Sequence, residues 1–411
     1  MFFYRWMLFA LVGLAGLTQA APLTFKAALD LAERESPNIA AQTAAANAAQ
    51  SAAIPAGALP DPKLLVGVDN LPVTGSNSWS ISSDFMTMRK IGVMQEIPNS
   101  DKRRARIAAA EASVDTARTQ RRAEQFKVRR DTALAWINRY YLERKRELLE
   151  DLDRENRLFA DAVRAQIAAN RGQVVDTVMP KQEAAELADR RDELVRDLTK
   201  ANAVLRRFVG AEAEEPLAGD PPQLNIDADV LRQHLHQHPE LETFASEARM
   251  AEAQVREAEA MKKSDWGVEL AYERRGSQFS DMVSVQVTFD LPVFTKTRQD
   301  PQIAAKQQAV TKINAERDAT LREHTSELEN GLAEYNTLTR QLDRANHTLL
   351  PLAQEKVDLQ YASYKAGKND LTAVITARRE LINQRLKVID VTGQREAVAV
   401  KLYYTYEENA Q

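Results

Sequence analysis

The chain has 411 residues, too many for one compact core, and 44% hydrophobic with 28% charged residues is the balance of a folded protein rather than a disordered one. Its net charge of -4 argues against a nucleic-acid binder, which needs a concentrated basic surface for phosphate. With no cysteine, the chain has neither disulfides nor a thiol-linked lipid anchor, so stability must come from packing and assembly.

Residues 1–20 read as a secretory signal. Arg5 is the positive flank, Trp6 to Leu17 the apolar stretch and Thr18-Gln19-Ala20 the small-residue cleavage site. Beyond it no run of 18 apolar residues occurs, which leaves strands as the means of crossing a membrane. From Leu23 to about Ala56 the pattern is helical, with an interruption at Pro37. Leu64, Val66 and Val68 then alternate with Lys63, Gly67 and Asp69, as in a strand over about 63–70, and a second strand is expected within 85–97, closed by Pro98.

Asp101 to Asn170 holds neither Gly nor Pro and predicts one unbroken helix, capped by Ser100 or Asp101. At 1.5 Å per residue, roughly 70 residues make a rod of about 100 Å. Such a rod needs partners along its whole length, because an amphipathic helix owes most of its stability to burying one face. Ile107, Val114, Val128, Ile137, Leu148, Leu152, Leu158 and Val163, at intervals near three, four and seven, are expected on that face. Arg171-Gly172 stops the rod, a second helix is expected over 174–208, and residues 211–226 read as a linker rich in Pro and acids.

The order then repeats: a helix from Asp227 broken at Pro239, strands over about 265–273 and 282–291, a long helix over 302–366, a stop at Gly367, a helix over 371–406 and a tail at 407–411. Pro98 and Pro292, Lys102 and Lys296, and Gly172 and Gly367 sit about 195 residues apart, which marks a tandem duplication of 21–210 and 227–406. Two short helices laid end to end match one rod, so the four strands fall at one end of a helical bundle and the two glycine stops at the other. Strands with one apolar and one polar face suit a membrane barrel, but four cannot close, so several copies must complete it. The competing reading of the alternation is a soluble sheet covered by helices.

These features resemble the TolC-type outer membrane efflux proteins over essentially the whole mature chain. The resemblance rests on the internal repeat, Leu291-Pro292 before the second rod and Tyr364-Lys365-Ala366-Gly367 at its foot. Asn70-Leu71-Pro72-Val73, the stretch from Asp84 to Gln95 and Arg298-Gln299-Asp300-Pro301 are similar to the heavy-metal branch, the cobalt-zinc-cadmium type. The resemblance implies a mainly α fold with a membrane β-barrel. Long coiled-coil hairpins would form a periplasmic tunnel, and a homotrimer would build a 12-stranded barrel in outer membrane lipid. It implies the exit duct of a tripartite efflux system, joined through a periplasmic adaptor to a proton-driven inner-membrane pump of the RND class, with heavy-metal cations as cargo. A drug or protein-secretion channel of the same fold, and a soluble periplasmic coiled-coil adaptor, are the alternatives.

On this reading Arg171, Gly172, Ala366, Gly367 and Lys368 lie at the periplasmic mouth, where the adaptor docks. Some members carry aspartates six and nine residues after the second glycine. Ala373 and Thr376 stand there instead, which leaves Asp176, Asp358 and Asp370 as candidate lumen carboxylates. The simpler reading of Asp176 and Asp370 is a helix-start acid favoured by the macrodipole. His234, His236 and His238 would face one way in a strand and could hold a metal, but on a helix only His234 and His238 share a face and the run is a solvated cluster. Met86, Met88 and Met94 share strand parity and could offer thioethers, although packing is the plainer role. No nucleophile–base set or phosphate loop stands out, and neither an enzyme nor a cofactor is expected.

Overall fold

A computed structural model describes residues 22–170 and 172–407; the expected signal sequence, Arg171 and residues 408–411 lie outside the described residues. In chain order the elements are β1 (Leu23–Thr24), α1 (Phe25–Glu35), α2 (Pro37–Ala53), β2 (Lys63–Asp69), β3 (Met88–Ile97), α3 (Ser100–Ala168) and α4 (Val178–Val209). There follow β4 (Leu217–Ala218), α5 (Ala228–His234), α6 (Pro239–Ala260), β5 (Trp266–Arg274), β6 (Met282–Phe289), α7 (Gln299–Arg344), α8 (Leu350–Lys365) and α9 (Leu371–Leu402). Among the described residues, no helix is long and apolar enough to cross a membrane.

Local chemistry sets the breaks. Ser36 caps α2, its hydroxyl accepting from the Ile39 N–H at 3.3 Å, and Pro37 starts the helix where a missing N–H costs nothing. The second long helix runs without a break from Gln299 to Lys365, close to the expected 302–366, but it is not α-helical throughout. A π turn at Ala345–Leu349 divides α7 from α8. Pro351 follows within one turn, and a ring without an N–H that crowds the carbonyl four residues back is accommodated by widening the helix there.

The chain divides into two units. The first takes the described residues up to Glu35, Asp131–Gln223 and Leu338–Ala397, and is helical apart from the parallel pair β1–β4. Trp136, fully buried, donates its indole N–H to the Leu23 carbonyl at 3.2 Å, stacks on Tyr140 at 5.2 Å and meets the edge of Phe25. Further along, Leu149 and Leu152 of α3 pack with Leu187 and Leu194 of α4 and with Ile382 and Leu386 of α9.

The expected inner face of α3 needs correction in this unit. Ile137, Leu152 and Val163 are buried, but Leu158 is 70% exposed while its neighbour Phe159 is 8% exposed, and Leu149 is the deeper residue of its pair, with Leu148 partly buried against the same core. Leu149, Leu152, Asn156, Phe159 and Val163 follow one another at intervals of three and four, and Leu148 and Leu158 each stand one residue, about 100° of rotation, before a member of that stripe.

The second unit takes Ser36–Arg130, Leu224–Thr337 and the described residues from Val398. It holds an antiparallel sheet in the order β2-β3-β5-β6. Leu231, Leu235, Leu328, Leu332, Leu402 and Tyr406 form its helical core. Gly331 admits Leu402, whose Cδ2 would stand 2.8 Å from an added Cβ. Asp265 ties helix to sheet: it accepts from both the backbone and side-chain N–H of Asn99 at 2.8 Å and from Lys102 at 2.7 Å, just as α3 begins.

Candidate functional site

Three features bear on function: the two faces of the sheet, the chain reversals at the glycine stops, and a histidine pair.

Alternation in the four strands places Leu64, Val66 and Val68 beside Ile91 and Val93, then Leu270 and Tyr272, then Val283, Val285, Val287 and Phe289. All lie on one face, and all are between 42% and 75% exposed. The register aligns them in rows, Val66 with Ile91, Tyr272 and Val283, and Leu64 with Val93, Leu270 and Val285. The opposite face is polar at its centre. Lys90 pairs with Glu269, both largely shielded, and Ser284 donates to Glu273 at 3.0 Å. Gly92 lies so near Ala271 that an added Cβ would sit 2.8 Å from the alanine methyl.

Covering a Val or Leu side chain with an apolar medium is worth about 1.5–3 kcal/mol, so an exposed face of this size calls for lipid or protein over it. β2 and β6 each pair on one side only among the described residues. The strand expected within 85–97 is β3, and just before it Asp84 turns the chain by accepting from the Met86 N–H at 2.8 Å.

At the stops, Asn170 and Gly367 adopt φ of 58° and 67°, the left-handed conformation that ends a helix. Gly172 packs within the first unit, where an added Cβ would meet Ile167, Asp176 and the Tyr364 hydroxyl at 3.2–3.4 Å. The Tyr364 hydroxyl is buried without a hydrogen bond, and its pKa is raised by burial and then by the Asp176 charge. Asp176 accepts from the Gln173 N–H at 2.9 Å as part of a capping box, Asp370 accepts from the Ala373 N–H at 3.2 Å, and Asp358 accepts from Gln354 at 3.1 Å. Each carboxylate thus has a local helical role. Ala366 closes α8 by donating to the Ala362 carbonyl at 3.1 Å, and the exposed Lys368 donates its N–H to Ser363 at 3.0 Å. Sequence reading passed over Val174 and Val175, which stand 75% and 60% exposed just after the stop. Their only sequence signal is an apolar pair where a helix start is usually polar.

The histidine run does not act as one group. His234 ends α5, His236 lies in the short turn Leu235–Gln237, and His238 caps α6, its Nδ1 accepting from the Glu240 N–H at 3.3 Å. The partner of His238 is His324 of α7, with ring centroids 4.0 Å apart, and His324 Nε2 lies 3.0 Å from Glu240 Oε2. One ligand atom from each of His238, Glu240 and His324 falls within 4.8 Å of the others. Burial, and then the neighbouring His324, lowers the His238 pKa to about 4. The hydrogen bond from His324 holds Glu240 below the usual carboxylate range. No spacing rule could have paired residues 86 apart.

Met86, Met88 and Met94 are spread along the loop and β3. Met86 sits in the loop, Met88 opposes Asp69, and Met94 opposes Lys63 six residues on, about 20 Å along the strand.

Residues 230–405 match the outer membrane efflux protein family. The chain is 22% identical over 395 residues to the cobalt-zinc-cadmium resistance protein CzcC of Cupriavidus metallidurans, covering 93% of this chain and 90% of that protein. In structure it resembles a membrane protein from Pseudomonas aeruginosa, with a TM-score of 0.80 and 15% identity over 93% of this chain and 89% of that one. It also resembles CusC, in a structure concerned with folding and transmembrane channel formation, with a TM-score of 0.75 and 15% identity over 94% of each chain.

Proposed function

We propose, for a chain whose residues 230–405 match the outer membrane efflux protein family, the role of exit duct in a tripartite, proton-driven system that exports heavy-metal cations. It is an outer membrane protein with a large periplasmic part, and the proteins it resembles are channels rather than enzymes. A soluble adaptor is therefore set aside.

The observation that carries the reading is the four-stranded sheet with an exposed apolar face, a polar face and two open edges. In lipid each unpaired backbone group costs several kcal/mol, so the β2 edge of one copy must meet the β6 edge of the next. Three copies supply 12 strands, enough to enclose a polar channel, and the closed rotation is that of a homotrimer. The order helix, two strands, long helix, helix, which occurs twice in the chain, supports a tandem origin.

The glycine stops belong at the periplasmic mouth, where Gly172, Ala366, Gly367 and Lys368 would meet the adaptor together with Val174 and Val175. Threefold symmetry turns any lumen-facing Asp176, Asp358 or Asp370 into a ring of carboxylates that draws cations. The similarity to CzcC supports a metal cargo over a drug. Growth of a deletion strain with and without the restored gene, on graded zinc, cobalt, cadmium, nickel, copper and silver beside a drug panel, tests this. Metal sensitivity cured by the gene is the expected result; sensitivity to drugs alone would overturn the cargo.

A further inference from the structure

We propose that His238, Glu240 and His324 bind a divalent transition-metal cation of the zinc class, through two imidazoles and one carboxylate, with a further coordination position left open. This goes beyond the export reading: a chain that exported another solute would still bind the cation here.

Two imidazole rings 4.0 Å apart, tilted at 43°, bring together nitrogen lone pairs that gain little from each other, and Glu240 lies against one of them. Nitrogen ligands stand about 2.0–2.1 Å from zinc in a tetrahedral centre, which places ligand atoms roughly 3.3 Å apart. The three donors, already within 4.8 Å, reach that spacing by small side-chain rotations. Two nitrogens and one oxygen suit a borderline cation and exclude calcium or magnesium, which take oxygen ligands.

The surroundings support the same ion. His324 is 9% exposed, and its Nδ1 is buried without a hydrogen bond. Glu327 Oε2 lies 3.6 Å from that nitrogen, placed to accept its proton and orient the ring once the other nitrogen binds metal. Tyr406, 3% exposed, closes the inner side and donates its hydroxyl to the His324 carbonyl at 3.1 Å. At the N-cap, Pro239 fixes the direction of α6 and so the reach of His238. Binding through His238 Nε2 requires the tautomer protonated at Nδ1 and gives up only its long 3.3 Å hydrogen bond.

A cleft of about 680 Å³ opens beside the group, lined by Glu124, Glu240 and Glu247 but also by Lys127 and Arg130. The acids offer a route for a cation, and the two basic groups weaken its retention, so the bound ion exchanges with solvent.

The test uses the purified full chain in detergent, with Co²⁺ as probe and Zn²⁺ as competitor. Expected are the visible absorption bands of low-coordinate cobalt at about one ion per chain, displaced by Zn²⁺. His238→Ala, His324→Ala and Glu240→Gln should each weaken binding by about tenfold or more. The double variant His234→Ala/His236→Ala should leave it unchanged. Glu240→Gln is isosteric at an exposed side chain and keeps the test sound if a histidine variant fails to fold, which thermal unfolding by circular dichroism reports. Unchanged affinity in Glu240→Gln and the two histidine variants, absence of binding by the folded chain, or loss only in the double variant would each overturn the proposal.

Discussion

Glu183 and Arg378 are 195 residues apart, the spacing proposed for the repeat, and they join α4 to α9 through an ion pair of 3.0 Å within the first unit. Glu183 is 2% exposed, and the Arg378 guanidinium also lies 4.5 Å over the Phe159 ring. Removing one partner strands a buried charge, whereas removing both need not be costly. Arg378→Met should destabilise the chain by about 3 kcal/mol and lower its thermal midpoint. Combining it with Glu183→Leu should recover much of that loss, and a double variant no better than the single would show that the pair is not a unit.

On the sheet, the face decides the outcome. Val285→Lys places a charge on the apolar face, at a cost of about 2–4 kcal/mol if that face meets the bilayer midplane. Gln286→Lys, one residue on, points to the polar face and should be tolerated. Outer membrane fractions quantified for both variants should show less of the first and wild-type amounts of the second.

The junction of helix and sheet gives a pH dependence. Burial raises the Asp265 pKa, but hydrogen bonds from Lys102 and Asn99 outweigh it and hold the carboxyl below its usual value. The unfolded chain therefore binds the proton more readily, so the stabilisation is complete above the ordinary carboxylate range and is lost as pH falls through the lower, folded value. Asp265→Asn should lower stability at neutral pH and flatten the loss below about pH 4. Denaturant midpoints across that range measure it.

Should Asp370 line the mouth, as proposed, Asp370→Lys would put three positive charges where three carboxylates drew cations. Cation selectivity should fall, read as a shift in reversal potential across a salt gradient in planar bilayers. Asp176→Lys is the parallel variant, with the added loss of its capping bond to Gln173. An unmoved reversal potential in both would remove these two residues from the conduction path.

Much of this protein is legible from residue order alone, because Gly, Pro and the two-residue period act locally. A stretch without Gly or Pro became the 69-residue α3, and the alternation around Val66, Val93, Leu270 and Val285 became one apolar face. Packing over distance decided the rest. One residue of slip turns a helix by about 100°, so only the facing helices determined that Phe159 rather than Leu158 is buried. Pro351 put a π turn into the expected second rod because the helix had to widen to keep it. His238 seemed by spacing to belong with His234. The fold instead set it against His324, since contacts between separate helices depend on how those helices dock and leave no periodic trace in the chain.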